Sequence, residues 1–128
     1  MSDDLYCKVY LAGAADSAAA KAAISAATGQ RFERRGAQVA GLRVEVFDNG
    51  QPGWKATDAD DDFVRWPVCL EVEPMDADMA QPAFITALAG LLNRLDAQGL
   101  RSVPSCNFED ELAAARRTPV ARSDAPAL

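Results

Sequence analysis

The sequence of 128 residues contains no histidine. That absence removes the usual general base at neutral pH and the commonest metal ligand. It excludes Ser-His-Asp and Cys-His nucleophile arrangements and the H-E-x-x-H zinc motif. The G-x-x-x-x-G-K-[ST] phosphate loop and the G-x-G-x-x-G dinucleotide fingerprint are missing as well. No cofactor is expected on these grounds. Cysteine is scarce: Cys7, Cys69 and Cys106 are an odd count without a C-x-x-C pair. Each falls in an expected strand, where a thiol serves as a small buried hydrophobe. A disulfide among them is disfavoured in a reducing compartment. No apolar run approaches the roughly 20 residues needed to cross a bilayer. The opening Met1-Ser2-Asp3-Asp4 is acidic, unlike the basic start of a secretory leader. The expected location is the cytoplasm, with no membrane contact.

Positive charge is also in short supply. Thirteen basic side chains face nineteen acidic ones, a formal net of −6. Residues 1–112 carry ten basic and eighteen acidic groups, a net of −8, whereas the last sixteen residues hold Arg116, Arg117 and Arg122 against Asp124 alone. Nucleic-acid binding needs lysine and arginine to displace counterions from phosphates, so an acidic body speaks against it. It speaks equally against docking on anionic membranes. A basic protein partner suits this charge, and so does plain solubility.

What is present reads as one α+β domain over residues 1–112, followed by a tail, 113–128, of alanine, arginine and proline expected to be disordered. Leu5 to Leu11 alternates with Cys7, Val9 and Leu11 on one face. An alanine-rich helix follows, capped by Asp16 or Ser17 and ended by Gly29, its buried stripe Ala20, Ala23, Ile24 and Ala27. Period two returns from Gln30 to Asp48, punctuated by Gly36 and Gly41, and Asp48-Asn49-Gly50 marks a turn. A third strand is expected over Arg65–Glu73, with Trp66, Val68, Leu70 and Val72 facing the core and Cys69, Glu71 and Glu73 facing out. A second helix starts near Pro82 with the stripe Phe84, Leu88, Leu91, Leu92, Leu95 and closes at Gly99. The last strand is expected around Val103 to Phe108.

The order strand, helix, strand, strand, helix, strand predicts a ferredoxin-like βαββαβ fold, a four-stranded antiparallel sheet with both helices on one face. The third strand is central in that layout, where Pro67 cannot donate to a ladder, so Pro67 must sit at the strand's entry or the strand must start later. Pro104 fits an edge.

Among candidate sites, Asp58, Asp60 and Asp62 have the alternate spacing of the first calcium ligands of an EF-hand. The sixth position, which needs glycine, is Phe63, and the twelfth, which needs glutamate, is Cys69, so no metal is expected. The same loop, with Asp61 in it and Trp54 and Trp66 flanking it, has the composition of a protein-binding surface: an aromatic anchor beside a charged rim. It reads equally as a solvated acidic loop, and core packing is the first role of Trp66. Glu71 and Glu73 share a sheet face and read as its solvated side before an acid/base pair. Glu109, Asp110 and Glu111 form a second acidic patch, beside the last strand, where charge discourages edge-to-edge pairing.

The segments Trp66-Pro67-Val68-Cys69-Leu70-Glu71-Val72-Glu73-Pro74 and Cys106-Asn107-Phe108-Glu109-Asp110-Glu111-Leu112 resemble small, acidic, uncharacterised bacterial proteins with the same element order. The whole profile of a small, acidic, single domain without catalytic motifs resembles immunity proteins of bacterial toxin systems, which neutralise a cognate toxin by covering its active site. That resemblance implies a non-enzymatic protein-binding domain with a basic toxin as partner. Trp54, Asp58, Asp60, Asp61, Asp62, Glu109, Asp110 and Glu111 are its candidate contact residues. The alternative expectation is a small-molecule-binding or regulatory ferredoxin-like domain, dimeric through its open sheet face.

Overall fold

A computed structural model describes residues 5–34, 36–50 and 62–117. Strand β1 (Cys7–Ala12) buries Cys7, Val9 and Leu11 on one face and turns Lys8 and Tyr10 to the other. Helix α1 (Ser17–Thr28) starts at Asp16, whose carboxylate accepts the Ala19 N–H at 2.9 Å, and ends at Gly29. A second carboxylate reaches the same helix start from elsewhere in the chain: Asp48 Oδ1 accepts the Ser17 N–H at 2.8 Å. Two of the N–H groups that a helix leaves unsatisfied are thereby paired. Ala20 and Ile24 are buried, and Ala23 and Ala27 pack beside them as the periodicity predicts.

The period-two segment after α1 folds as a tight hairpin of β2 (Gly36–Val39) and β3 (Leu42–Asp48). Val39 pairs directly with Leu42, leaving Ala40 and Gly41 as a two-residue turn with φ of 53° and 84°. Both values belong to the left-handed region that a primed turn requires, a region glycine enters without the cost an alanine bears. Strand β4 (Val68–Pro74) follows a short 3₁₀ turn at Phe63–Arg65, then α2 (Gln81–Ala97), β5 (Arg101–Ser105) and α3 (Glu109–Arg117).

All the pairings are antiparallel and the strand order is β2-β3-β4-β1-β5. Over the described residues the protein is therefore α+β with a five-stranded antiparallel sheet and three helices. The expected four strands and two helices undercount it twice. Gly36 and Gly41 are expected as a turn or bulges in one period-two segment; Gly41 does lie in the turn, but Gly36 opens a separate strand at the edge. The residues after Phe108, read as a charged exit and a disordered tail, wind into α3 up to Arg117, so a boundary at residue 112 falls inside a helix. Residues 118–128 lie outside the described residues.

Two strand boundaries shift as well. Strand β4 begins after Pro67, which resolves the conflict between a central strand and a residue without an N–H. Strand β5 covers Arg101–Ser105 rather than Val103–Phe108, so Cys106 stands in the turn beyond it. Pro104 sits in β5, which among the described residues pairs only with β1 and is an edge.

One face of the sheet carries all three helices. Val9, Leu11, Val44, Leu70 and Val72 meet Ile24 of α1, Phe84, Leu88 and Leu92 of α2, and Leu112 of α3 in one core. Phe108 is buried in it, edge-on to Phe84 with ring centroids 5.6 Å apart. Arg116 fastens α3: its guanidinium donates to Asn93 at 3.1 Å, Ser102 at 3.3 Å and Asp96 at 2.6 Å, linking α3 to α2 and β5.

Candidate functional site

The outer face of the sheet is divided. At one end the chain between residues 62 and 67 folds over it. Phe63 packs on Tyr10 with ring centroids 5.4 Å apart, and the Arg101 guanidinium lies 5.0 Å above the Trp66 ring. Tyr10 and Arg101 both belong to the outer face by register, since Tyr10 pairs with Cys69 and Arg101 with Ala12. Trp66 is buried, as expected, but its ring packs with the outer side of the sheet and not with the helical core. The parity that aligned it with Val68 ends at Pro67, where the strand ends. Asn49 holds this cover in place. Its side-chain amide donates to the carbonyls of Trp66 at 2.7 Å and Val64 at 3.0 Å, and its backbone N–H donates to Pro67 at 2.9 Å.

Cys69, opposite Tyr10 on the same face, is buried, with its thiol pushed above the ordinary range by burial and pulled partly back by the Lys8 ammonium. A thiol so shifted carries little thiolate at neutral pH and is a poor nucleophile. The middle of the face is an array of charge. Arg43 and Glu45 form an ion pair at 2.9 Å, Glu45 stands opposite Glu71, and Glu71 stands opposite Lys8. Glu71 is half-buried and Glu73 exposed.

At the far end, where β1 begins and β4 and β5 finish, the surface opens into a hollow of about 840 Å³. Tyr6, Glu73, Met79, Cys106 and Glu109 line it, and its charged lining is entirely acidic. Asp76 and Asp78 stand in the turn after β4, and Asp110 and Glu111 in the first turn of α3, all exposed. Tyr6 is an exposed aromatic at 41%. Its hydroxyl is raised above the ordinary value by partial burial and then by the charge of the Glu71 carboxylate.

The candidate contact residues divide between these ends. Trp54, Asp58, Asp60 and Asp61 lie outside the described residues. Asp62 is at the covered end, where its carboxylate stands 3.6 Å from Arg65. Glu109, Asp110 and Glu111 are at the hollow end. Asp62 and the second patch sit toward opposite ends of β5: Trp66, at the end of the turn that starts at Asp62, lies under Arg101 at the strand's start, and Glu109 accepts the Cys106 N–H at 2.9 Å just past its finish. The second patch also has a local role, because three carboxylates in the first turn of α3 oppose the positive end of its dipole.

Sequence reading missed Tyr6 and the turn after β4. Tyr6 alternates with Cys7, which marks it as outward, but the hollow arises only when β1, β4 and β5 come together. Among the described residues no group of three His, Cys, Asp or Glu side chains is placed to hold a metal ion, and no helix is long and apolar enough to cross a membrane. No protein-family model, curated protein or solved structure matches the chain.

Proposed function

We propose that this chain is a non-enzymatic protein-binding domain for a basic partner, and most specifically an immunity protein that neutralises a basic bacterial toxin such as a nuclease. The observation that carries this reading is the acidic hollow at one end of the sheet: Glu73 and Glu109 in its wall, Asp76, Asp78, Asp110 and Glu111 around it, and Tyr6 exposed at its edge. Carboxylates of one sign around a concavity steer an incoming cation and hold its register. An exposed tyrosine supplies apolar contact area at small entropic cost, which suits it to anchor an interface. The net of −8 over residues 1–112 extends the attraction beyond contact distance. The run Asp58 to Asp62 beside Trp54 is the further contact proposed from the sequence.

The strand order β5-β1-β4-β3, with β2 added at the edge and α3 at the end, is compatible with a ferredoxin-like layout, which we propose as the scaffold. Such scaffolds host many functions, so the weight rests on the surface. The cytoplasm is the compartment we propose.

Affinity capture from the source organism's lysate, with quantitative mass spectrometry, tests the reading. It predicts one stoichiometric partner with a basic domain. Absence of a basic partner, together with a rise in melting temperature on addition of one metabolite from a panel, would favour the small-molecule-binding alternative, since a specific ligand stabilises by mass action.

A further inference from the structure

Beyond partner binding, we propose that Cys7 and Cys106 form an oxidisable pair that a peroxide closes into an intramolecular disulfide. Three observations converge on it. The ladder between β1 and β5 ends with Lys8 opposite Ser105, so Cys7 and Cys106 occupy the next facing positions. Residues opposed on antiparallel strands have Cα atoms about 4.5–5.5 Å apart, within the span a disulfide bridges. The two sulfurs are already 3.1 Å from one another. The turn that presents Cys106 is fixed by Glu109, which accepts the Cys106 N–H at 2.9 Å.

The pair is asymmetric in the way a two-step oxidation needs. Cys106 is half-buried and lines the acidic hollow, so a small oxidant reaches it, whereas Cys7 is fully buried. Burial and the contact with Cys106 push the Cys7 thiol up, which leaves Cys106 to react first. The Cys106 thiolate attacks one peroxide oxygen, the O–O bond breaks, and the departing hydroxide takes a proton to leave as water. Sulfur is oxidised by two electrons to a sulfenic acid and the peroxide is reduced. The Cys7 sulfur then attacks the Cys106 sulfur, the S–O bond breaks, and hydroxide leaves as a second water with the Cys7 proton. The net change is two thiols and one hydrogen peroxide to one disulfide and two waters.

Cys69 is the internal control. It is buried on the outer face of the sheet while Cys7 belongs to the helical core, so the sheet itself separates them. The disulfide would join the start of β1 to the turn that leads into α3 and close a loop spanning most of the chain, which raises stability by restricting the unfolded state.

The test is to treat the reduced full chain with stoichiometric hydrogen peroxide and map its thiols by alkylation and peptide mass spectrometry. The expected product is a monomer lighter by two hydrogens, with Cys7 linked to Cys106, Cys69 still alkylated, and a melting temperature several degrees higher. In Cys7→Ser, dimedone should trap a sulfenic acid on Cys106; in Cys106→Ser, Cys7 should stay unmodified. Consumption of Cys69 as fast as Cys106, a disulfide between two chains, three thiols that all remain alkylatable, or an oxidised form that melts no higher would overturn the proposal. The wild-type map decides the matter even where Cys7→Ser fails to fold. Loss of partner binding would not bear on it.

Discussion

Asn49 shows how much a single side chain fixes here. In the sequence it is the middle of a turn signal, and nothing local says what it touches. In the fold its amide satisfies the Val64 and Trp66 carbonyls, so one residue pins the segment that covers one end of the outer face. Asn49→Ala is expected to lower stability by about 1–2 kcal/mol, chiefly through loss of the part-buried bond to the Trp66 carbonyl. Urea denaturation followed by tryptophan fluorescence checks it, and Trp66 should become more exposed in the variant's native state. Asp48 is a parallel case, since its capping of α1 from β3 depends on a contact 31 residues away.

The thiols make a pH prediction at the same scale. Cys7 and Cys69 both lie above their ordinary value of 9.0 in the fold, chiefly because burial opposes the thiolate. The folded state therefore holds these protons more tightly than the unfolded chain does. Their stabilising contribution is complete below pH 9.0 and is lost as pH rises toward the raised values. Under reducing conditions the melting temperature should fall as pH rises above that point, and Cys69→Ala should make the fall shallower. A melting temperature that rises there would contradict the assignment of burial as the cause.

Elements with strong periodicity were legible. The stripes of α1 and α2 and the alternation of β1 and β3 follow from side-chain spacing alone, because these elements bury one face against a core. The sequence narrows the cap only to Asp16 or Ser17, and the fold uses Asp16. The failures occur where that signal is short or diluted. Strand β2 has four residues and opens with glycine, too few to separate it from a bulge. Helix α3 buries Leu112 fully and otherwise rests on alanine and on the Arg116 cluster, so its pattern reads as a polar tail. Removing that cluster should show how much it contributes. Arg116→Ala is expected to cost about 1–2 kcal/mol through the bonds lost to Asn93, Ser102 and Asp96, the Asp96 one discounted for its exposure. Hydrogen exchange should then rise in residues 109–117 while β1 and β4 stay protected. Equal exchange in both proteins would mean that Phe108 and Leu112 alone hold the helix.

At the scale of the whole molecule the acidic balance was visible in the composition, but its placement was not. Glu73, Glu109 and Tyr6 are far apart in sequence and meet only because β1 lies between β4 and β5. This arrangement gives the molecule two unlike ends, one covered by Phe63 and Trp66 and one open and acidic. The proposed function assigns partner binding to the open end.

The most direct measurement is the association rate of the captured basic partner with the wild-type chain and with a Glu73→Lys, Asp110→Lys variant, each at low and high salt. Both substituted residues are exposed, so the fold should persist. The account predicts a rate for the variant at least about tenfold lower at low salt, with a weaker salt dependence, because steering charges act mainly on association. Equal rates for the two proteins at both salt concentrations would contradict it and remove the acidic hollow from the interface.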